Sequence, residues 1–248
     1  GARPQRYLHT DVTSLTKKIA ASKNSAALIA SDGVFSMDGD IAPVTQLASL
    51  ARSHNIPLMI DDAHGLGVLG KHGGGTLEQA GLTADDVPVL MGTLGKAFGT
   101  FGAFVAGSDE LIETLIQQAR SYIYTTALPP ALAAATRASL KLVQSEPWRR
   151  ERLGQLIARF TQGAAQLKLP LLPSQTPIQP LLIGDSQRAL TLSEKLAGRG
   201  LLVSAIRPPT VAPGAARLRI TLTCNHTDTH IDQLLEALAA TCTTHATV

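Results

Sequence analysis

Cysteine is scarce in this sequence, whose 248 residues include only Cys224 and Cys242. The two lie far apart and without partner residues at the spacing of metal ligands, so the sequence predicts neither a disulfide framework nor a zinc site. His226 and His230 follow Cys224 closely, but a coordination shell needs more ligands, and a helix cap in the same stretch explains its polarity. We therefore predict no metal site.

Long apolar runs and clustered charges are also absent. No run approaches the length of a membrane span, and no charged segment followed by an apolar one leads the chain, so we expect a cytosolic protein that does not bind membranes. Lysine and arginine outnumber aspartate and glutamate by 22 to 19, which gives a net charge of +3. The basic residues are scattered along the sequence, so nucleic acid is not a predicted partner. A hydrophobic fraction of 44% is typical of a globular chain.

The most informative stretch is residues 91–99, which holds a single lysine between glycines directly after the apolar run 87–90. Desolvation at the end of a buried strand disfavours a charged amine but not a neutral imine. Lys96 is therefore a candidate for the amine that forms an imine with an aldehyde cofactor. The flanking glycines would let a ring lie close to the backbone, and Thr93 supplies a hydroxyl for a phosphate. A surface lysine in a glycine-containing loop fits this stretch equally well.

A second group of polar residues follows the apolar run 57–60, which predicts a buried parallel strand. The strand ends in Asp61 and Asp62, and His64 comes next. Pyridoxal phosphate needs a carboxylate at its ring nitrogen, which keeps the ring protonated and able to accept electrons. Asp61 and His64 fit the needs of such a ring. The alternative is that both carboxylates cap the following turn and that His64 lies in the core.

Hydroxyl, carboxylate and glycine also cluster at residues 31–40, after the apolar run 26–30. Open α/β sheets bind ligands at the carboxyl ends of their strands. In this sequence, polar residues that could contact a ligand follow three predicted strands. Residues 65–75 are rich in glycine but lack the spacing of a P-loop. We interpret them as a flexible loop beside the active site.

Four motifs, in the order SDGVFSMDGD, IDDAHGLGVLG, TLGKAFG and YIYTTALPP, resemble the α-oxoamine synthases, pyridoxal-phosphate enzymes of fold type I. The stretch AIRPPTV followed by ARLRIT narrows the resemblance to the branch of biotin biosynthesis that condenses L-alanine with a pimeloyl thioester, carried by coenzyme A or a carrier protein. The matching family members continue upstream of Gly1, so the chain is expected to lack their N-terminal part. The alternatives are a sister enzyme that uses glycine, of the 2-amino-3-oxobutyrate ligase or 5-aminolevulinate synthase type, and a non-catalytic fragment that keeps the fold.

The resemblance implies roles for individual residues around the cofactor. Lys96 would bind the cofactor and move the α-proton of the substrate, Asp61 would hold the proton on the ring nitrogen, and His64 would contact the ring oxygen. Ser36 and Thr93 would position the ring and the phosphate. The family often carries glutamate at the position of Asp32, which is a departure in this chain.

Further roles concern the substrates and a second subunit. Within residues 217–221, strand alternation places Arg217 and Arg219 on one face. The resemblance assigns the substrate carboxylate to Arg219, with Arg217 and Arg207 as competitors, and the acyl substrate to Thr210. It also implies a homodimer with shared active sites, in which Thr125 contacts the partner's cofactor phosphate.

The resemblance implies an α/β fold, with part of a large pyridoxal-phosphate domain at residues 1–145 and a small α+β domain at 146–248. Apolar runs and helical patterns predict β-α-β connections in a mostly parallel sheet within the large domain. They also predict a helix from residue 109 to about 121, and in the small domain a long amphipathic helix from 148 to about 167 followed by short strands and helices.

Overall fold

The computed structural model describes residues 3–22 and 26–242. Its contacts divide the chain into two compact units. The first unit comprises Gly1–Val34 and Ala42–Pro147, and the second comprises Phe35–Ile41 and Trp148–Val248. The domain boundary after residue 145 stays a prediction, and the contacts differ from it in assigning Phe35–Ile41 to the second unit.

The first unit is built on a four-stranded sheet. Its strands lie in the order in which they occur along the chain: β1 (Ile29–Asp32), β2 (Leu58–Asp61), β3 (Val89–Thr93) and β4 (Ala103–Ala106). β1, β2 and β3 are parallel, and β4 is antiparallel to β3. The sheet is therefore mostly parallel, as the alternation of apolar runs and helical patterns predicts.

Helices connect and flank these strands. In the described part of the first unit they are α1 (Val12–Ala21), α2 (Val44–Ser53), α3 (Gly75–Ala80), α4 (Asp109–Gln118), α5 (Arg120–Ile123) and α6 (Pro130–Ser145). The Asp11 side chain caps α1 by accepting a hydrogen bond from the Ser14 amide. The helix predicted to run to about residue 121 instead ends at Gln118, because Ala119 has an extended backbone before α5 begins.

Apolar side chains of β2 and α2 form the core of this unit. Leu58 and Ile60, two residues apart on the strand, have no exposed surface. α2 buries Val44, Leu47, Ala48 and Ala51, a spacing that places them on one helical face. Full burial of one leucine side chain contributes roughly 2 kcal/mol to stability, so this packing fixes β2 in the sheet.

The register of the sheet brings three strand ends together. Asp32 at the end of β1 pairs with Asp61 at the end of β2, and Asp61 pairs with Met91 of β3. Since parallel strands present their carboxyl ends at the same edge, the polar residues that end β1 and β2 and follow β3 emerge at one edge of the sheet.

The second unit has its own three-stranded antiparallel sheet. β7 (Ala216–Thr221) lies between β5 (Ile178–Gly184) and β6 (Ser204–Ile206). Three helices pack with it: α7 (Trp148–Gln166), α8 (Ser186–Ala197) and α9 (Asp228–Cys242). Leu156, Phe160, Leu196, Leu218 and Leu238 form a core without exposed surface. Among the described residues, no helix combines the length and apolar character needed to span a bilayer.

Candidate active site

The strand-end edge of the first unit holds a cluster of opposite charges. Burial raises the pKa of Asp32, and the negative charge of Asp61 raises it further, whereas the nearby Lys96 and His9 lower it. These effects require the groups to lie within Coulombic reach of one another. Thus the structure brings Asp61 and Lys96, two of the predicted site residues, to the same edge, together with Asp32.

Asp61 is held in a defined orientation by its own turn. Its Oδ1 accepts a hydrogen bond of 3.0 Å from the Ala63 amide, and its carbonyl oxygen accepts one of 2.7 Å from Gly33. One oxygen of the carboxylate is therefore engaged by the backbone, and within the described residues the other oxygen of this half-buried residue accepts no hydrogen bond. His64 follows in the same turn and is also half-buried.

Lys96 lies in a short loop that closes on itself after β3. The Leu94 amide donates to the Gly102 carbonyl at 2.8 Å, the Thr100 amide donates to Leu94 at 2.9 Å, and Gly99 adopts a positive φ of 61°. Within this chain Lys96 is exposed, so the expectation that it is desolvated at a buried strand end is wrong. The reason is that residues 95–97 project beyond the end of β3 rather than continuing its buried course.

Helix α6 supports this loop from one side. The Ser139 hydroxyl donates to the Phe98 carbonyl at 2.7 Å, and the Thr136 hydroxyl donates to the Thr100 hydroxyl at 2.9 Å. The segment that carries Lys96 is therefore fixed at its C-terminal side by two hydroxyls of α6.

The hydroxyl of Thr93 is already hydrogen-bonded. It donates to the Gly102 carbonyl at 3.1 Å and accepts from the Gly95 amide at 3.4 Å. Both contacts fix the two ends of the Lys96 loop. The predicted contact of Thr93 with a phosphate stays a prediction, since it requires a rearrangement of these bonds.

The glycine-rich stretch 65–75 is more ordered than its composition suggests. The Gly67 amide donates to the Gly73 carbonyl at 2.8 Å, and the Gly75 amide donates to Leu69 at 2.9 Å. Glu78 accepts hydrogen bonds from the Gly74 amide at 2.7 Å and from both the amide and the ring of His72. The interpretation as a flexible loop is therefore replaced by a loop closed by backbone hydrogen bonds. His72 is exposed.

The two arginines of β7 have different environments within the second unit. Arg217 is buried and pairs with Asp38, and it also donates to the carbonyls of Ala215 and Met37 at 3.1 and 3.2 Å. Its charge and its Nε and Nη1 donors are thus used inside the unit. An arginine held in this way is not disposed to bind a further carboxylate.

Arg219 has a different environment. Its Nε donates to the Ser36 carbonyl at 2.6 Å and its Nη1 donates to the Thr221 hydroxyl at 3.2 Å. Burial lowers the pKa of the guanidinium, and among the described residues no carboxylate forms an ion pair with it. This arrangement favours Arg219 over Arg217 as a site for an incoming carboxylate. It also places two predicted site residues, Ser36 and Arg219, in contact.

Residues 1–238 match the family model for aminotransferase class I and II. This chain belongs to the aminotransferase class I and II family. It is 61% identical over 239 residues to the 8-amino-7-oxononanoate synthase of Stutzerimonas stutzeri and 58% identical over 239 residues to that of Saccharophagus degradans. Each match covers 96% of this chain and 61% or 60% of the relative, so the chain spans about three fifths of their length.

Solved structures of this family share its fold. The serine palmitoyltransferase of S. paucimobilis with a bound PLP–myriocin aldimine superimposes with a TM-score of 0.90 at 29% identity, over 95% of this chain and 60% of that one. The 8-amino-7-oxononanoate synthase of Francisella tularensis gives 0.80 at 35% identity, over 95% and 68%. The predicted fold class and the resemblance read from the four motifs are therefore confirmed.

The remaining predicted residues of this aminotransferase-family chain lie in exposed turns. Thr210 is exposed, and its amide closes a turn by donating to Arg207 at 3.0 Å. Thr125 is exposed, and its hydroxyl donates to the Ser121 carbonyl at 2.6 Å. Tyr124 beside it is 79% exposed. The roles of Thr125, Thr210 and Arg207 stay predictions.

The histidine pair of the second unit is not disposed to bind a metal. The Nδ1 atoms of His226 and His230 accept hydrogen bonds from the amides of Thr223 and Thr227, each at 3.2 Å. A neutral imidazole that accepts at Nδ1 carries its proton on Nε2, so neither nitrogen offers a lone pair to a cation. Their rings meet edge to face with centroids 6.0 Å apart.

Proposed function

We propose that the protein containing this chain is a pyridoxal-phosphate-dependent acyltransferase of the α-oxoamine synthase type. It condenses L-alanine with a pimeloyl thioester, of coenzyme A or of a carrier protein, and releases the free thiol and carbon dioxide to form 8-amino-7-oxononanoate in biotin biosynthesis. The observation that carries the proposal is the placement of Asp61 and Lys96 at neighbouring strand ends of one parallel sheet. Identity of about 60% to synthases of that name supports it.

The donor set in the first unit fits pyridoxal phosphate. An amine, Lys96, and a carboxylate, Asp61, lie at one edge of the sheet and within Coulombic reach of Asp32. A carboxylate is the group that suits a protonated pyridine nitrogen, and a lysine amine is the group that bonds to an aldehyde. The cofactor, when bound, supplies a ring that accepts electrons from the substrate carbon.

The residues of the chain would then bind the substrate and move one proton. Arg219 binds the carboxylate of L-alanine through its guanidinium, which is otherwise engaged only by a carbonyl and a hydroxyl in the described chain. Lys96 Nζ would accept the α-proton of the substrate. Asp61 would hold a proton at the ring nitrogen, and His64 would hydrogen-bond the ring oxygen. Ser36 and Thr93 position the ring and the phosphate.

The proposal extends to assembly and location. A homodimer places Thr125 of one subunit at the phosphate of the partner's cofactor, and Thr210 contacts the acyl substrate. The exposed aromatic stretch Tyr122 and Tyr124 supports a subunit contact near Thr125, because exposed aromatic side chains are common at interfaces. The protein is placed in the cytosol, with no nucleic-acid or membrane partner.

The test is a visible absorption spectrum of the full-length protein with pyridoxal phosphate, recorded before and after L-alanine and, separately, glycine. We expect a cofactor band that changes saturably with alanine and weakly with glycine. A stronger response to glycine would assign the protein to a glycine-using sister enzyme. Absence of any band would argue against the enzymatic proposal and for a non-catalytic protein that keeps the fold.

Replacement of the lysine gives the first prediction. Lys96→Ala is expected to abolish thiol release from pimeloyl-CoA in the presence of alanine, because both cofactor bonding and proton transfer use Nζ. Lys17→Ala, at an exposed lysine on α1 of the same unit, is the matched control and should retain turnover. Substantial turnover by the Lys96→Ala protein would contradict the assignment.

A further inference from the structure

Asp62 is a buried carboxylate next to the predicted cofactor residues that the proposed chemistry does not use. Its side chain has no exposed surface, and Oδ2 accepts a hydrogen bond of 2.7 Å from the Thr76 amide at the start of α3. Thr76 is itself 1% exposed. Burying a carboxylate costs free energy of folding. We therefore expect this carboxylate to have a role that offsets the cost.

Three glycines enclose this carboxylate. A Cβ on Gly33 or Gly65 would lie 2.6 or 2.1 Å from Oδ1, and a Cβ on Gly75 would lie 1.9 Å from Oδ2. No side chain fits at those distances. The carboxylate is thus surrounded by the backbone of three separate segments: the turn after β1, the turn after β2 and the start of α3.

The backbone of Asp62 is fixed as well. Its amide donates to the Met91 carbonyl of β3 at 2.9 Å, and its carbonyl accepts from the amides of Gly65 and Leu66, each at 3.1 Å. Asp61 and His64 lie on either side of it in the sequence. The turn that carries both predicted cofactor residues is therefore held by the main chain of Asp62 and lies against its side chain.

We propose that Asp62 is a positioning residue, whose enclosed carboxyl group holds residues 61–65 and the glycine-rich stretch 65–75 in the geometry from which Asp61 and His64 contact the cofactor. The inference rests on the proposed function for the identity of that cofactor. The positioning role requires an acceptor oxygen and the shape of the side chain but not its charge, because an amide oxygen can also accept the hydrogen bond from Thr76.

The variants separate these requirements. Asp62→Asn keeps the shape and the acceptor, whereas Asp62→Ala removes both. Asp62→Leu keeps a branched shape without an acceptor and replaces the alanine variant if that one does not fold. The matched control is Leu47→Ala in α2, a buried position of the same unit outside the turn. This residue lies outside residues 61–76, and its truncation lowers stability by creating a cavity in the core.

The first measurement is hydrogen–deuterium exchange in the full-length protein without cofactor. For Asp62→Ala we expect the amides of residues 63–67 and 73–76 to exchange at least tenfold faster than in the parent protein, while Asp62→Asn stays within about threefold. Leu47→Ala should not single out these amides. Parent-like exchange in Asp62→Ala, or equal effects of the asparagine and alanine variants, would overturn the proposal.

The second measurement is the apparent Kd for pyridoxal phosphate, from the cofactor band, at a temperature where circular dichroism shows every variant folded. We expect Asp62→Ala to bind at least tenfold more weakly and Leu47→Ala to stay within about twofold. Equal weakening in the two would reduce Asp62 to a purely structural role and overturn the proposal. If the parent protein itself binds no pyridoxal phosphate, the proposed function fails, and the exchange measurement still decides whether Asp62 holds the loop.

Discussion

The pH dependence of unfolding gives the sharpest quantitative check on the environment of Asp62. Burial raises the pKa of this carboxyl from its ordinary value of 3.8 to about 6, against the lowering effect of the Thr76 hydrogen bond. Between these values the folded state binds the proton and the unfolded state releases it, so the free energy of unfolding falls as pH rises. The slope is about 1.4 kcal/mol per pH unit, and the total is about 3 kcal/mol.

Asp62→Asn isolates this contribution because asparagine does not titrate. Urea unfolding of the cofactor-free protein, followed by far-ultraviolet circular dichroism from pH 4 to 8, gives the free energy of unfolding of both proteins. The difference between variant and parent should grow in favour of the variant by about 2 kcal/mol from pH 4 to pH 6 and level off above about pH 7. Asp32, with a pKa raised by burial, and His226, with a pKa lowered by burial, are common to both proteins, so their contributions cancel in the difference. A difference that does not change with pH would refute the reasoning.

Two further predictions concern packing. Asp38→Asn leaves the buried Arg217 without its recorded carboxylate partner and should lower the free energy of unfolding of the second unit by about 2 kcal/mol, measured by the fluorescence of Trp148 in urea. Asp232→Asn is its control, because it removes the carboxylate that forms an exposed bidentate ion pair with Arg159 on α7, and it should change the urea midpoint little. Gly75→Ala combines a positive φ of 83° with a collision at Asp62 and should unfold at a lower temperature than Gly81→Ala, where φ is 67° but the Cβ meets nothing within 4 Å; equal melting temperatures would contradict the enclosure of Asp62.

Much of the strand-end arrangement could be predicted because apolar runs determine where parallel strands end. The runs before Asp32, Asp61 and Lys96 became β1, β2 and β3, and their register brings the three residues to one edge. The burial of Asp62 was also within reach of the sequence. Alternation along β2 buries Leu58 and Ile60, and one further step of two residues reaches Asp62. A carboxylate directly after a strand also fits a cap of the following turn, so its polarity alone does not indicate burial.

Other features depend on contacts that no local pattern contains. Arg217 and Arg219 share a face of β7 and look equivalent in the sequence. They differ because Asp38, which is 179 positions away from Arg217, forms an ion pair with one and not the other. The sequence leaves the exposure of Lys96 open for a related reason: a strand pattern indicates where a strand ends, but not whether the residues that follow it are buried.

The assignment of Phe35–Ile41 to the second unit has a consequence for how this protein is made and divided. Asp38 neutralises Arg217, and the Gly39 carbonyl accepts from Ser174 and Thr176 at 2.8 and 2.9 Å. During synthesis these seven residues leave the ribosome long before their partners, so they cannot form all of these contacts until β7 has been made. A polypeptide that starts at Trp148 would contain every strand of the second sheet, but its buried Arg217 would lack the Asp38 counter-ion. Dividing the gene at one position therefore cannot give both units intact.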